Sequence, residues 1–175
     1  MGDKLLVVDF DGVLAEYNGW VGLDVFGGRM DYAKPCLDWL RKLGWKIAVH
    51  STRKTTAAFL QWFEVWDIEV DAVNDPKFNP PDTYSKPAVA GNTVYWDDHS
   101  SMWDFADHFS WPMAFLMLVK TYHPDHMMDA FDVLREESLE CGDEMPLSMI
   151  KHFVNNLGGM FHFQLKSRKK ECQTT

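Results

Sequence analysis

The sequence predicts an α/β fold with a mainly parallel central sheet. Two patterns carry that expectation. Short apolar runs alternate with amphipathic stretches over residues 4–119, which is the signature of repeated strand–helix–strand units. Polar residues with chemical potential close three of those runs: Asp9, Ser51 and the pair Asp97/Asp98. Ligands in parallel sheets bind beyond the carboxyl ends of the strands. Three strand ends should therefore deliver reactive side chains to one edge.

The elements follow in order. Residues 4–9, rich in Leu and Val, read as a buried strand. The stretch "EYNGWVGLDVFGGRM" (16–30) has four glycines and no clean helical period, so it reads as a loop or small flap. From Asp31 to Leu43 apolar residues recur at helical steps through Tyr32, Cys36, Trp39, Leu40 and Leu43, and Gly44 suits the C-terminal cap. "WKIAVHS" (45–51) is a second strand. Thr55–Trp66 is a second helix, offering Ala58, Leu60, Trp62 and Phe63 to the core. "IEVDAVN" (68–74) is a third strand, and the four prolines of 75–87 make that segment irregular. "NTVYWDD" (92–98) is a fourth strand, followed by a helix over 100–109. "PMAFLMLV" (112–119) is expected as a fifth strand. Helices are expected over 124–140, opened by Pro124 and Asp125, and over 146–159. "MFHFQL" reads as a final edge strand.

A chain of 175 residues, 46% apolar, accommodates one domain, here taken as 1–165. Residues 166–175, "KSRKKECQTT", form a basic and polar tail that reads as a solvated, disordered end. The net charge of −9 argues against a general nucleic-acid binder. Cys36, Cys141 and Cys172 are few, odd in number and widely spaced. A disulfide framework or zinc site is not expected from them, and a reducing compartment suits them. The apolar run 5–8 is too short to cross a bilayer or to act as a signal peptide. The expectation is a soluble cytoplasmic protein without a membrane partner. His123 and His126 sit three apart, but Pro124 and Asp125 between them mark a helix start rather than a metal site.

The chemistry concentrates at "LLVVDFDGVL" (5–14). If strand geometry continues through Phe10, Asp9 and Asp11 point the same way and repel each other unless a cation intervenes. Asp97 and Asp98 add to the problem. All-oxygen ligation with open positions suits Mg²⁺, which takes one or two carboxylates plus phosphate oxygens; zinc would prefer His or Cys. Beside such an ion an aspartate can serve as nucleophile to phosphorus, and a second can move the proton. Gly12 lets a backbone approach closely, so amides near it can donate to phosphate. Ser51 and Thr52 offer hydroxyl donors. Arg53 either pairs with a carboxylate or touches substrate.

These residues fall into a known order. "VVDFDGVL" resembles the first motif of the haloacid dehalogenase-like (HAD) superfamily, an apolar strand followed by DxDG[TV]. "IAVHSTR" resembles the second motif, with Ser51 favoured over Thr52. "SKPAVAGNTVYWDDHS" resembles the third and fourth, with Lys86 ahead of the acidic strand end. The motif-bearing part is 4–119, and the extension 120–165 carries no recognised motif. The resemblance implies a Rossmann-like three-layer fold and a Mg²⁺-dependent phosphatase acting on a phosphomonoester. Asp9 would be the nucleophile and Asp11 the acid and base. Ser51 and Lys86 would hold phosphate, with Gly12, Thr52 and Arg53 also near substrate. Asp9, the Asp11 carbonyl, and Asp97 or Asp98 would bind the metal. An acid at position 11 separates the family's phosphatases from its dehalogenases. Lys77 rivals Lys86 for the third motif.

The gaps between motifs, 40 residues from Asp11 to Ser51 and 35 from Ser51 to Lys86, leave no room for a folded lid. The resemblance thus implies a minimal cap, with 16–30 as the flap. Trp20 and Phe26 line its entrance or join the core. Small capless relatives often act on large substrates or close the site by oligomerisation. A phosphorylated small molecule or nucleotide is the expected substrate. A polynucleotide or nucleotide end phosphatase is an alternative, and so is a non-catalytic binding or regulatory protein that keeps the acidic pocket.

Overall fold

The computed structural model describes residues 4–78, 89–90, 92–98 and 109–142. Contacts divide the chain into two compact units, Met1–Trp111 and Pro112–Thr175.

The first unit holds a five-stranded sheet of order β3-β2-β1-β5-β4. Its strands are β1 (Lys4–Val8), β2 (Trp45–Val49), β3 (Ala72–Val73), β4 (Val89–Ala90) and β5 (Thr93–Trp96). β3, β2, β1 and β5 run parallel, and β4 pairs antiparallel with β5 at one edge. The α/β class and the parallel sheet agree with the sequence pattern; β4 was not expected. β1 is central because Leu6, Val7 and Val8 are all buried, as a strand covered on both faces requires. Val7, Ala48 and Tyr95 pack on one face with Leu5, Ala72 and Phe78. By strand alternation Leu6, Ile47 and Val94 lie on the other.

Register places the site. Val8 pairs with Val49 on one side and Trp96 on the other, and Val49 pairs with Val73. Four parallel strands therefore end level. The chain leaves β1 toward β2 and β3, then returns on β1's other side as β5. That reversal is a topological switch point, where a crevice opens outside the carboxyl ends.

Helix α1 (Ala33–Lys42) buries Ala33, Cys36, Leu37 and Leu40, and Arg41 and Lys42 in its last turn oppose the helix dipole. Trp39 and Leu43 are only half-buried, so the apolar stripe is rotated from the expected one. Helix α2 (Ala57–Val65) is capped by Thr56, whose side chain accepts from Phe59 N. It buries Phe59, Trp62 and Phe63. Leu60 is exposed, which corrects its assignment to the core. The strand expected over 68–74 shrinks to Ala72–Val73. A 3₁₀ turn, Pro76–Phe78, follows.

The expected strand at 112–119 is instead part of helix α3 (Trp111–Tyr122). Met, Ala and Leu are strong helix formers. Nearly every position of α3 is buried or half-buried, so no polar face marks the helical period. A 3₁₀ turn (Pro124–His126) leads into α4 (Met127–Cys141), which ends at Gly142 in the left-handed region. No helix among the described residues is long and apolar enough to cross a membrane. Of the helix expected over 100–109 only Phe109 is described, outside any helix. The helix expected over 146–159, "MFHFQL" and the tail lie outside the described residues.

Candidate functional site

The level strand ends bring Asp9, His50–Ser51, Asn74 and Asp97–Asp98 to one edge. The ladder continues one step past β1: Asp9 N donates to Trp96 O at 2.7 Å, and His50 N donates to Val8 O at 2.9 Å. Asp9 is thereby held to β5 by its own amide, and the residue before it, Val8, to the end of β2. One carboxylate oxygen each from Asp9, Asp97 and Asp98 lie within 4.8 Å of one another. Asp97 is buried and the other two are half-buried.

Phe10 points away from this edge. It is fully buried among Phe59 (4.6 Å between ring centroids), Trp62 (4.7 Å) and Phe26 (5.7 Å). The edge-on geometry of these rings is the favoured one. Phe26 thus belongs to the core cluster, whereas Trp20 is 59% exposed on the flap.

After Phe10 the chain turns tightly. Leu14 N and Ala15 N both donate to Phe10 O, and Gly12 N donates to Ala15 O at 2.9 Å. The Gly12 amide, expected near phosphate, is occupied within this turn. The glycine serves two other needs. Its φ is +76°, and a Cβ there would stand 2.7 Å from Asp98 Oδ2. The turn can approach Asp98 because no side chain intervenes.

Asp11 does not join the three-carboxylate cluster through its side chain. It faces Arg53, whose Nε donates to Oδ2 at 2.7 Å and to Oδ1 at 3.0 Å, and whose Nη2 donates to Oδ1 at 2.9 Å. Arg53 is 5% exposed. Its Nη1 donates to Gly22 O and Val25 O on the flap, both at 3.3 Å. Trp20 and Phe26 stack near the guanidinium at 4.8 and 5.1 Å. Of the two readings open for Arg53, pairing with a carboxylate is the one seen.

Ser51 is buried and Thr52 exposed. Ser51 Oγ accepts from Arg53 N at 3.2 Å, which leaves its hydroxyl hydrogen as a donor. Asn74 fixes the loop. Its Oδ1 accepts from Ser51 N at 2.7 Å, and its Nδ2 donates to Arg53 O and Thr55 Oγ1. Sequence reasoning missed Asn74. The available signal was an Asn at a strand end, a residue that tolerates the left-handed φ of 51° found here. Lys86 lies outside the described residues. Lys77 pairs with Asp75 at 2.8 Å, and this hydrogen bond holds the Asp75 carboxyl below its ordinary range.

The flap, residues 16–30, contains no helix or strand. It is tied down by Trp62 Nε1 donating to Gly27 O (2.9 Å) and Thr56 Oγ1 to Asp24 Oδ1 (2.6 Å). Bridges at Ala15 to Asp11 and to Arg29 close its base.

The Asp9–Asp97–Asp98 donor set is all hard oxygen and suits Mg²⁺. The missing Cβ at Gly12 keeps Asp98 close to the turn. The three-carboxylate donor set is the feature that fits a divalent ion. Comparison with protein-family models, curated proteins and solved structures returns no match.

Proposed function

We propose that this chain is a Mg²⁺-dependent phosphatase of HAD type, with a Rossmann-like three-layer fold and only a flap for a cap. The observation that carries the reading is the convergence of Asp9, Asp97 and Asp98 at the switch point of a parallel sheet, with Ser51 arriving from the neighbouring strand.

Asp9, Asp97 and Asp98 would hold the ion. When bound, it would screen the repulsion between carboxylate and phosphate and stabilise the charge on the transferring group. An Asp9 carboxylate oxygen attacks phosphorus, and the bond from phosphorus to the substrate's ester oxygen breaks. Asp11 enters this step protonated and supplies the proton that the departing oxygen takes up; the carboxylate paired with Arg53 in the structure corresponds to the form that follows this transfer. Asp11, now a carboxylate, removes a proton from water. That water's oxygen attacks phosphorus, and the bond to Asp9 breaks, releasing inorganic phosphate and restoring both residues. Ser51 donates its hydroxyl hydrogen to a phosphate oxygen, and Asn74 keeps that serine in place.

The test is hydrolysis of an aryl phosphate with and without Mg²⁺. Turnover should require the ion and vanish with EDTA, and Asp9→Asn should abolish it. Turnover that survives EDTA would overturn the metal assignment. Unchanged turnover in Asp9→Asn would overturn the nucleophile. Phosphorylated metabolites, nucleotides and oligonucleotide ends, offered in parallel, define the substrate class.

A further inference from the structure

We propose that Arg53 is a positioning residue that makes the orientation of Asp11 depend on how the 16–30 flap is seated. The inference rests on the reading of Asp11 as the proton donor and adds a control on it.

The geometry is specific. Arg53 spends Nε and Nη2 on Asp11 and Nη1 on the carbonyls of Gly22 and Val25. A guanidinium is planar, so fixing one end of its fork fixes the other. The flap carbonyls hold Nη1, Trp20 and Phe26 hold the plane, and the plane holds the Asp11 carboxylate. The Arg53 side chain is only 3% exposed. Buried donors need partners, so a displaced flap would leave Nη1 to find new ones, and the guanidinium would turn. Asp11 would lose its fixed aim with it. Arg53 itself is anchored from the other side, because Asn74 holds its carbonyl and Ser51 its amide. One residue therefore joins the second strand end, the acid and the flap.

Trp20 is the exposed end of this chain of contacts. Its neighbours Val21, Leu23 and Val25 are also exposed. A leaving group that packs against this apolar lip would hold the flap down, and so hold Asp11 in aim.

The test compares kcat/KM for two substrates: an aryl phosphate with an acidic leaving group, which departs with little proton transfer, and an alkyl phosphate, which needs it. A general acid contributes about 10²–10⁴-fold where it is needed. Arg53→Lys keeps the charge but loses the fork. It should lower kcat/KM for the alkyl phosphate by at least about 10-fold more than for the aryl phosphate. Trp20→Ala, at a position 59% exposed, should show the same selective loss more weakly. The double variant should lose no more than Arg53→Lys alone, because both act through one linkage. Equal losses on both substrates would overturn the proposal, and would mean that Arg53 acts on phosphate or only on the fold. Additive losses in the double variant would overturn the coupling to the flap. A wild type inert toward both substrates would instead overturn the phosphatase reading on which the proposal stands.

Discussion

Gly12→Ala separates the backbone role of this glycine from its role beside the acidic cluster. The φ of +76° is the first cost. An L-residue held in that region loses roughly 1–2 kcal/mol. The second cost is contact: the new methyl would meet Asp98 Oδ2 at 2.7 Å, where ordinary contact begins at 3.4 Å. That oxygen must retreat by roughly 0.7 Å, the difference between these two distances. Asp98 is the far end of a rotatable side chain, so turning it relieves the clash at little cost in stability. The consequence falls on the cluster instead. On the proposed reading, in which Asp98 helps hold Mg²⁺, an ion that demands near-ideal octahedral geometry, displacing this carboxylate should weaken ion binding by about 10-fold. Urea unfolding with and without Mg²⁺ reads both effects. Without the ion the variant should be about 1–2 kcal/mol less stable. At an ion concentration a hundred times the wild-type Kd, the wild type gains about 2.7 kcal/mol and a variant binding ten-fold more weakly about 1.4. Unchanged stability without the ion would refute the backbone argument. An equal gain from Mg²⁺ in both proteins would refute the placement of Asp98 in the cluster.

Three further outcomes are expected. Phe10→Ala should cost about 3–5 kcal/mol in chemical denaturation, since Phe10 is fully buried among four other rings; a loss below about 1 kcal/mol would show that the cluster repacks freely. Asn74→Ala removes three hydrogen bonds around Ser51, Arg53 and Thr55. It should cost about 1–3 kcal/mol and lower phosphatase turnover, whereas full activity would show that Ser51 is held without it. Burial raises the Tyr95 phenol above its ordinary 10.0, so the folded state keeps that proton longer than the unfolded chain. Stability should be complete below pH 10 and fall as pH rises through the folded value. Urea midpoints for Tyr95→Phe should fall less steeply there, with Tyr122, likewise raised by burial, supplying the remaining slope. An unchanged slope would remove Tyr95 from the cause.

The strands that carry the site were legible because they are buried on both faces. Leu6 to Val8 and Ile47 to Val49 form unbroken apolar runs, and each ends where a polar residue begins. Asp9, Ser51, Asp97 and Asp98 could be aligned from that pattern alone. The helix at Trp111–Tyr122 was not legible, because an apolar run of eight has no periodicity to separate helix from strand. The composition of Met, Ala and Leu carried the better signal. The partner of Asp11 was equally hidden. Arg53 lies 42 residues away in sequence, and no local pattern distinguishes an arginine bound for a carboxylate from one bound for phosphate. Asn74 escaped notice because its work is on backbone amides and carbonyls, which leave no trace in side-chain spacing.

The most direct test of the central claim is to trap the intermediate. The wild type is mixed with an aryl phosphate and Mg²⁺, quenched in acid within the first turnover, digested and examined by mass spectrometry. The expected result is a hydroxylamine-sensitive phosphoryl group on the peptide that carries Asp9, absent in Asp9→Asn. A phosphoryl group on another residue, or turnover with none on the protein at any quench time, would contradict the assignment of Asp9 as nucleophile.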